Sequence, residues 1–148
     1  MKRILAFVIL SVGSFAASAN NWLEYAPGFN ILSPAEKVKI AATAAIKDGR
    51  LTVALMDLTG RFCTNGSDYG PESAGAFSVN GKMVKFTVTC IAGIRALKPE
   101  TENGKEYFTR EITTKPTVVK MNYAQVLSFN SENFEATKKS MIDAESAM

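Results

Sequence analysis

Asn80-Gly81 divides two runs of alternating apolar and polar residues, and no other feature constrains the chain as tightly. Both residues of a two-residue hairpin turn need positive φ, which asparagine and glycine tolerate. The pair therefore commits residues 76–79 and the run from Lys82 onward to an antiparallel hairpin. Past the turn, Val84, Phe86, Val88 and Cys90 share one face, and Met83, Lys85, Thr87 and Thr89 share the other. Gly93 reads as a bulge or bend, with the strand continuing over 94–97. Residues 51–58 are apolar on nearly both faces, as in a central strand. Residues 106–113 and 117–121 are further strand candidates, interrupted by Pro116, which suits a sheet edge.

Upstream, a helix is expected over 34–48. Ser33 stands at the cap, Pro34 at the first helical position and Glu36 where it completes a capping box. Ala35, Val38, Ala42, Ala45 and Ile46 recur at helical spacing, Lys47 falls in the last turn, and Gly49 gives the stop. Residues 20–30 read as an irregular lead-in, 59–75 as a long loop, and 99–105 as a polar turn. Residues 131–148 are helix-prone, with Phe134, Met141 and Ile142 on a face interrupted by Lys138 and Glu145. A docked helix and a frayed tail both remain open there. The fold class expected is α+β: one long helix packed on a bent antiparallel sheet of four or five strands, a cystatin-like arrangement.

The N-terminus points out of the cytoplasm. Lys2 and Arg3 precede an apolar run over 4–12, and Ala17-Ser18-Ala19 offers small residues for a signal peptidase. The run is about half of the roughly 20 apolar residues needed to span a bilayer, so cleavage before Asn20 is expected and no membrane span after it. Residues 20–148 then form a single secreted domain, periplasmic or extracellular. Of 17 basic and 14 acidic residues in the chain, Lys2 and Arg3 leave with the signal, so 15 − 14 gives a net charge of +1. Neither a nucleic-acid partner nor an anionic membrane is implied by so small an excess. In such a compartment two cysteines, Cys63 and Cys90, favour one disulfide over two free thiols.

Histidine is absent, which removes the commonest general base and the commonest metal ligand. No phosphate-binding glycine loop, metal spacing or nucleophile elbow occurs, so no catalytic residue, cofactor or metal is assigned. Asp57 interrupts an apolar strand near its end. A strand-end residue bonding into the next turn is the plain reading, and half of a carboxylate pair is the catalytic one. Glu100, Glu102 and Glu106 read as a solvated tip. Lys82, Lys85, Arg95, Lys98, Lys105, Arg110, Lys115 and Lys120 are scattered cations, several of them on the outward sheet face. The best binding candidate is the polar loop beyond Cys63, with Asn65, Ser67, Asp68 and the aromatic Tyr69; pinning such a loop lowers the entropy lost on binding. Asn65-Gly66-Ser67 also matches a glycosylation acceptor. Tyr107 and Phe108 are further candidate partner anchors.

Three segments carry a family resemblance: Ala54-Leu55-Met56-Asp57-Leu58-Thr59-Gly60, Phe77-Ser78-Val79-Asn80-Gly81-Lys82 and Phe86-Thr87-Val88-Thr89-Cys90-Ile91-Ala92-Gly93-Ile94. Over residues 50–97 they resemble the YebF-like family, which includes a periplasmic immunity protein against colicin M. The resemblance implies a helix before a small antiparallel sheet. It also implies an immunity-type role, in which a non-enzymatic protein neutralises a toxin or an envelope hydrolase. Two other functions stay open: an inhibitor of lysozyme-type enzymes acting through Gly66-Ser67-Asp68-Tyr69, and a small hydrolase using Asp57 with a second carboxylate.

Overall fold

The computed structural model describes residues 20–59, 63, 68–121 and 125–147; the expected signal at 1–19 lies outside them. Its strands are β1 (Leu23–Ala26), β2 (Phe29–Leu32), β3 (Ile40–Lys47), β4 (Arg50–Asp57), β5 (Tyr69–Val79), β6 (Lys82–Ile91), β7 (Ile94–Pro99), β8 (Thr117–Lys120) and β9 (Val126–Phe129). Among the described residues there are two helices, α1 (Glu102–Thr114) between β7 and β8, and α2 (Phe134–Ser146) after β9. Among the described residues the nine strands make one antiparallel sheet in the order β1-β2-β3-β4-β7-β6-β5-β8-β9. The expected plan of one long helix on four or five strands is therefore overturned.

The correction begins at residues 34–48. Residues 40–47 are β3, paired with β2 on one side and with β4 on the other. Ile40, Ala42 and Ala44 are buried at a spacing of two, and the same alternation runs on to the half-buried Ile46. Asp48-Gly49 is a two-residue turn with φ of 52° and 72°, joining Lys47 to its partner Arg50. Alanine favours helices when a segment stands alone, but pairing along both edges outweighs a propensity worth only tenths of a kcal/mol per residue. The lead-in at 20–30 is likewise structured, as β1 and the start of β2.

Two further corrections concern residues 92–114. Ala92-Gly93, with φ of 52° and 80°, is a hairpin turn rather than a bulge, and it folds β7 back on β6 with Ile94 opposite Ile91 and Arg95 opposite Cys90. The strand expected at 106–113 is α1. Thr101 caps it by accepting the Gly104 amide at 3.0 Å, and Phe108, Glu111 and Ile112 form its buried face. Asn103-Gly104 thus sits in a first helical turn.

The sheet curls until its edges are clasped together. Ahead of β1, the Trp22 amide donates to Asn133 Oδ1 at 2.8 Å, its indole to Ser131 at 2.7 Å, and the Asn20 carbonyl accepts from Glu132. After β2, the Ala35 amide donates to the Ser128 carbonyl of β9, and Glu36 accepts from both the amide and the hydroxyl of Ser128 at 2.7 Å. Glu36, expected as a helix-capping residue, is instead a latch between sheet edges. Burial alone would raise its pKa, but the Ser128 hydrogen bonds bring it below the ordinary 4.5. A depressed value in the folded state contributes stability that is present above pH 4.5 and fades as pH falls through the folded value. Replacing Glu36 with glutamine is expected to cost about 1 kcal/mol at neutral pH. That gap should close in acid, as read by urea midpoints across a pH series.

Both helices sit at the end of the curl that carries the turns at 27–28, 48–49 and 80–81. Gly28 lies beside Ala144 and the Gly49 amide donates to Glu145. Asn80 donates to Glu111 at 2.8 Å, and Tyr107 donates its hydroxyl to the Val79 carbonyl at 2.9 Å. The Asn80 bond is the chief reason the Glu111 carboxyl titrates below its usual range, with Lys115 adding to it against the opposing effect of burial. The helix left open at the C-terminus is docked: Phe134, Thr137 and Met141 are buried, and Phe134 meets Trp22 with ring centroids 5.6 Å apart. Ile142, assigned to the same apolar face, points to solvent.

Candidate functional site

The described residues leave a concave opening at the opposite end of the curl. There the start of β3, the end of β4, the start of β7, the end of β6 and the start of β5 come together around a cleft of about 710 Å³. Cross-strand register sets its rim. Asp57 faces Arg95, Arg95 faces Cys90, and Cys90 faces Tyr69, so one inward row crosses four strands. The next row inward, Leu55, Leu97 and Val88, is core.

Asp57 is 1% exposed. One carboxylate oxygen accepts the Thr59 amide at 2.9 Å, which is the strand-end turn contact read from the sequence. The other binds the Arg95 guanidinium at 2.6 Å. Arg95 was expected among outward cations; the turn at 92–93 reverses the chain and places it inward. An Asp57-based hydrolase needs a second acid nearby, and among the described residues lining the cleft Asp57 is the sole carboxylate. The described residues also contain no group of three or more potential metal ligands.

Cys63 and Cys90 form a disulfide with Cα atoms 5.8 Å apart, which ties the β4–β5 connection to the rim. The bond is consistent with an oxidising compartment. Asp68 fastens the same connection a second time, accepting the Ala92 amide at 2.9 Å. Glycine is required at position 70, where a Cβ would lie 2.5 Å from the Val88 carbonyl oxygen. Removing the disulfide by a Cys63→Ser/Cys90→Ser double change frees a separation of 27 residues. The expected loss is about 3 kcal/mol, measured as the difference in urea unfolding between the two proteins.

The predicted partner-binding residues divide between the two ends. Asn65 and Ser67 lie outside the described residues. Asp68 and Tyr69 are at the cleft mouth, with Tyr69 lining the cleft and 36% exposed. Tyr107 and Phe108 are at the helical end. Tyr107 packs between Lys82 and Arg110, whose charged groups lie 4.7 and 5.4 Å from its ring centroid. Phe108 is fully buried and meets Phe86 edge-on. As a core side chain it has no surface to offer a partner. Sequence reasoning missed Lys37 and Lys39, which it placed on a helix and which line the cleft, and Ile91 and Leu58, which are 57% and 51% exposed beside it. Reading Ala92-Gly93 as a turn would have brought Arg95, Ile91 and Ile94 into view.

No helix among the described residues is long and apolar enough to cross a membrane. No family model, curated protein or solved structure matches this chain.

Proposed function

We propose that this chain is a non-enzymatic binding protein of the periplasm or the extracellular space, which engages a partner protein through the open end of its curled sheet. The observation that carries this reading is the row of apolar side chains on the outer face at that end. Ile91 and Ile94 are directly paired across β6 and β7, and Leu58 follows Asp57, which pairs with Arg95 of β7. Ile91 and Leu58 are exposed and Ile94 is half-buried; apolar groups so placed, on strand ends beside a disulfide, have the form of an interface core. Tyr69 adds an aromatic anchor from the inner side of the same rim. An immunity-type neutraliser of a toxin or envelope hydrolase is the role that fits such a rigid, preorganised surface.

The test is affinity capture from envelope and culture-medium extracts with the disulfide-bonded protein starting at Asn20, followed by titration of whatever single partner is recovered. Ile91→Glu is expected to weaken that binding at least ten-fold, and Tyr69→Ala several-fold. Met83→Glu changes a residue 63% exposed at the helical end and should leave it intact. Recovery of no partner, or a partner sensitive to Met83 rather than Ile91, contradicts the reading.

A further inference from the structure

We infer that the cleft itself is a second binding site, separate from the outer apolar row, and that its ligand is a small carboxylate with an aliphatic or aromatic body. Sites for small ligands commonly enclose roughly 300–1,000 Å³, favour the mouths of curled sheets, and combine mostly apolar walls with a few polar groups that fix orientation. This cleft, at about 710 Å³, lies within that range and at such a mouth.

Its walls are apolar in the interior, where Ile40, Phe77 and Val88 join Val38, Ala74 and Met121. Burying a chain of several methylenes against them gains about 0.8 kcal/mol for each. The charge is at the rim. Among the described residues, Lys37, Lys39 and Arg95 line the cleft against one carboxylate, Asp57, so 3 − 1 leaves a local excess of +2. The whole domain after residue 19 carries only +1. Positive charge is thus concentrated where the surface is concave, and field focusing there favours an anion. Among the described residues, neither Lys37 nor Lys39 makes an ion pair. Arg95 is fixed by Asp57 and gives the site a rigid donor beside two adaptable ones. An inorganic anion would leave the apolar walls unused, and a neutral hydrocarbon would leave the cations unused. A carboxylate carrying an apolar body uses both.

Isothermal titration of the purified, disulfide-bonded protein with sodium octanoate tests this, with octanol as the uncharged counterpart. Octanoate is expected to bind with a stoichiometry of one, and octanol about ten-fold more weakly. Lys37→Gln/Lys39→Gln, two exposed positions, should reduce octanoate affinity about ten-fold while leaving octanol unchanged. Ala74→Phe, which fills the interior, should remove binding of both while the melting curve stays cooperative. No octanoate binding by the parent protein overturns the inference. So does equal affinity for octanol, or octanoate affinity indifferent to the two lysines. Ile91→Glu, the change chosen against the partner surface, should leave octanoate affinity unaltered, so either site can fail without the other.

Discussion

Replacing Arg95 with methionine is expected to lower the unfolding free energy by about 3–5 kcal/mol. The estimate follows from Asp57, which is 1% exposed and has its second oxygen on Arg95 at 2.6 Å. The favourable part of a buried ion pair is largely cancelled by desolvation, so the pair itself adds little. Removing one member is different, because the remaining carboxylate stays in a low-dielectric site with half of its hydrogen bonding gone. Adding Asp57→Asn to the Arg95→Met variant should recover most of the loss. The amide oxygen can still accept from the Thr59 amide, and no charge remains buried. Urea unfolding of the parent, the two single variants and the double variant gives the full cycle. Equal stability of Arg95→Met and the parent would mean that Asp57 is not buried in this way.

Phe108→Ala separates the two accounts of α1 as sharply. As a partner anchor on an exposed strand, Phe108 could be truncated with little effect on folding. As the plug of a helix closing one end of the sheet, it is fully buried with Phe86 at a centroid distance of 5.4 Å, and Ile112 lies one turn on. Truncation should cost about 3–5 kcal/mol, the usual range for emptying a buried phenylalanine site. Affinity for the partner should be unchanged under conditions where the variant remains folded. A stable Phe108→Ala protein with weakened binding would restore the exposed reading.

The parts of the fold that could be read from sequence are those where local signals and tertiary pairing agree. The Asn80-Gly81 hairpin, the strand expected over 51–58, the strand expected over 117–121 and the Cys63–Cys90 bond are of this kind, while at 131–148 the helix is one of two readings left open. The failures share one cause. Over 35–46, Ala35, Val38, Ala42, Ala45 and Ile46 fit a helical stripe as well as Ile40, Ala42, Ala44 and Ile46 fit a strand, and Gly49 of the Asp48-Gly49 turn doubles as a helix stop. The same confusion in reverse hid α1, because Asn103-Gly104 resembles a turn and threonines dominate its end. Those threonines are accommodated by back-bonding, with the Thr113 hydroxyl donating to the Thr109 carbonyl at 2.6 Å. The cleft followed these errors. Lys37 and Lys39 reach it only because residues 33–39 cross to β9, and Arg95 only because the chain reverses at 92–93. Asp57 and Tyr69 are legible, the first because a carboxylate inside an apolar strand is visible without knowing what it faces, the second as the aromatic of a polar stretch near Cys63.

The central claim is a sheet curled on itself, with its edges latched so that one end is a cleft. Long-range proton contacts in nuclear magnetic resonance test it directly. The account predicts contacts between Ala44 and Val53, which are paired in register, and between the Ala35 amide and Ser128. Sequential helical contacts through residues 34–47, with none between residues 35–36 and 128, would contradict both the strand and the latch, and the cleft with them.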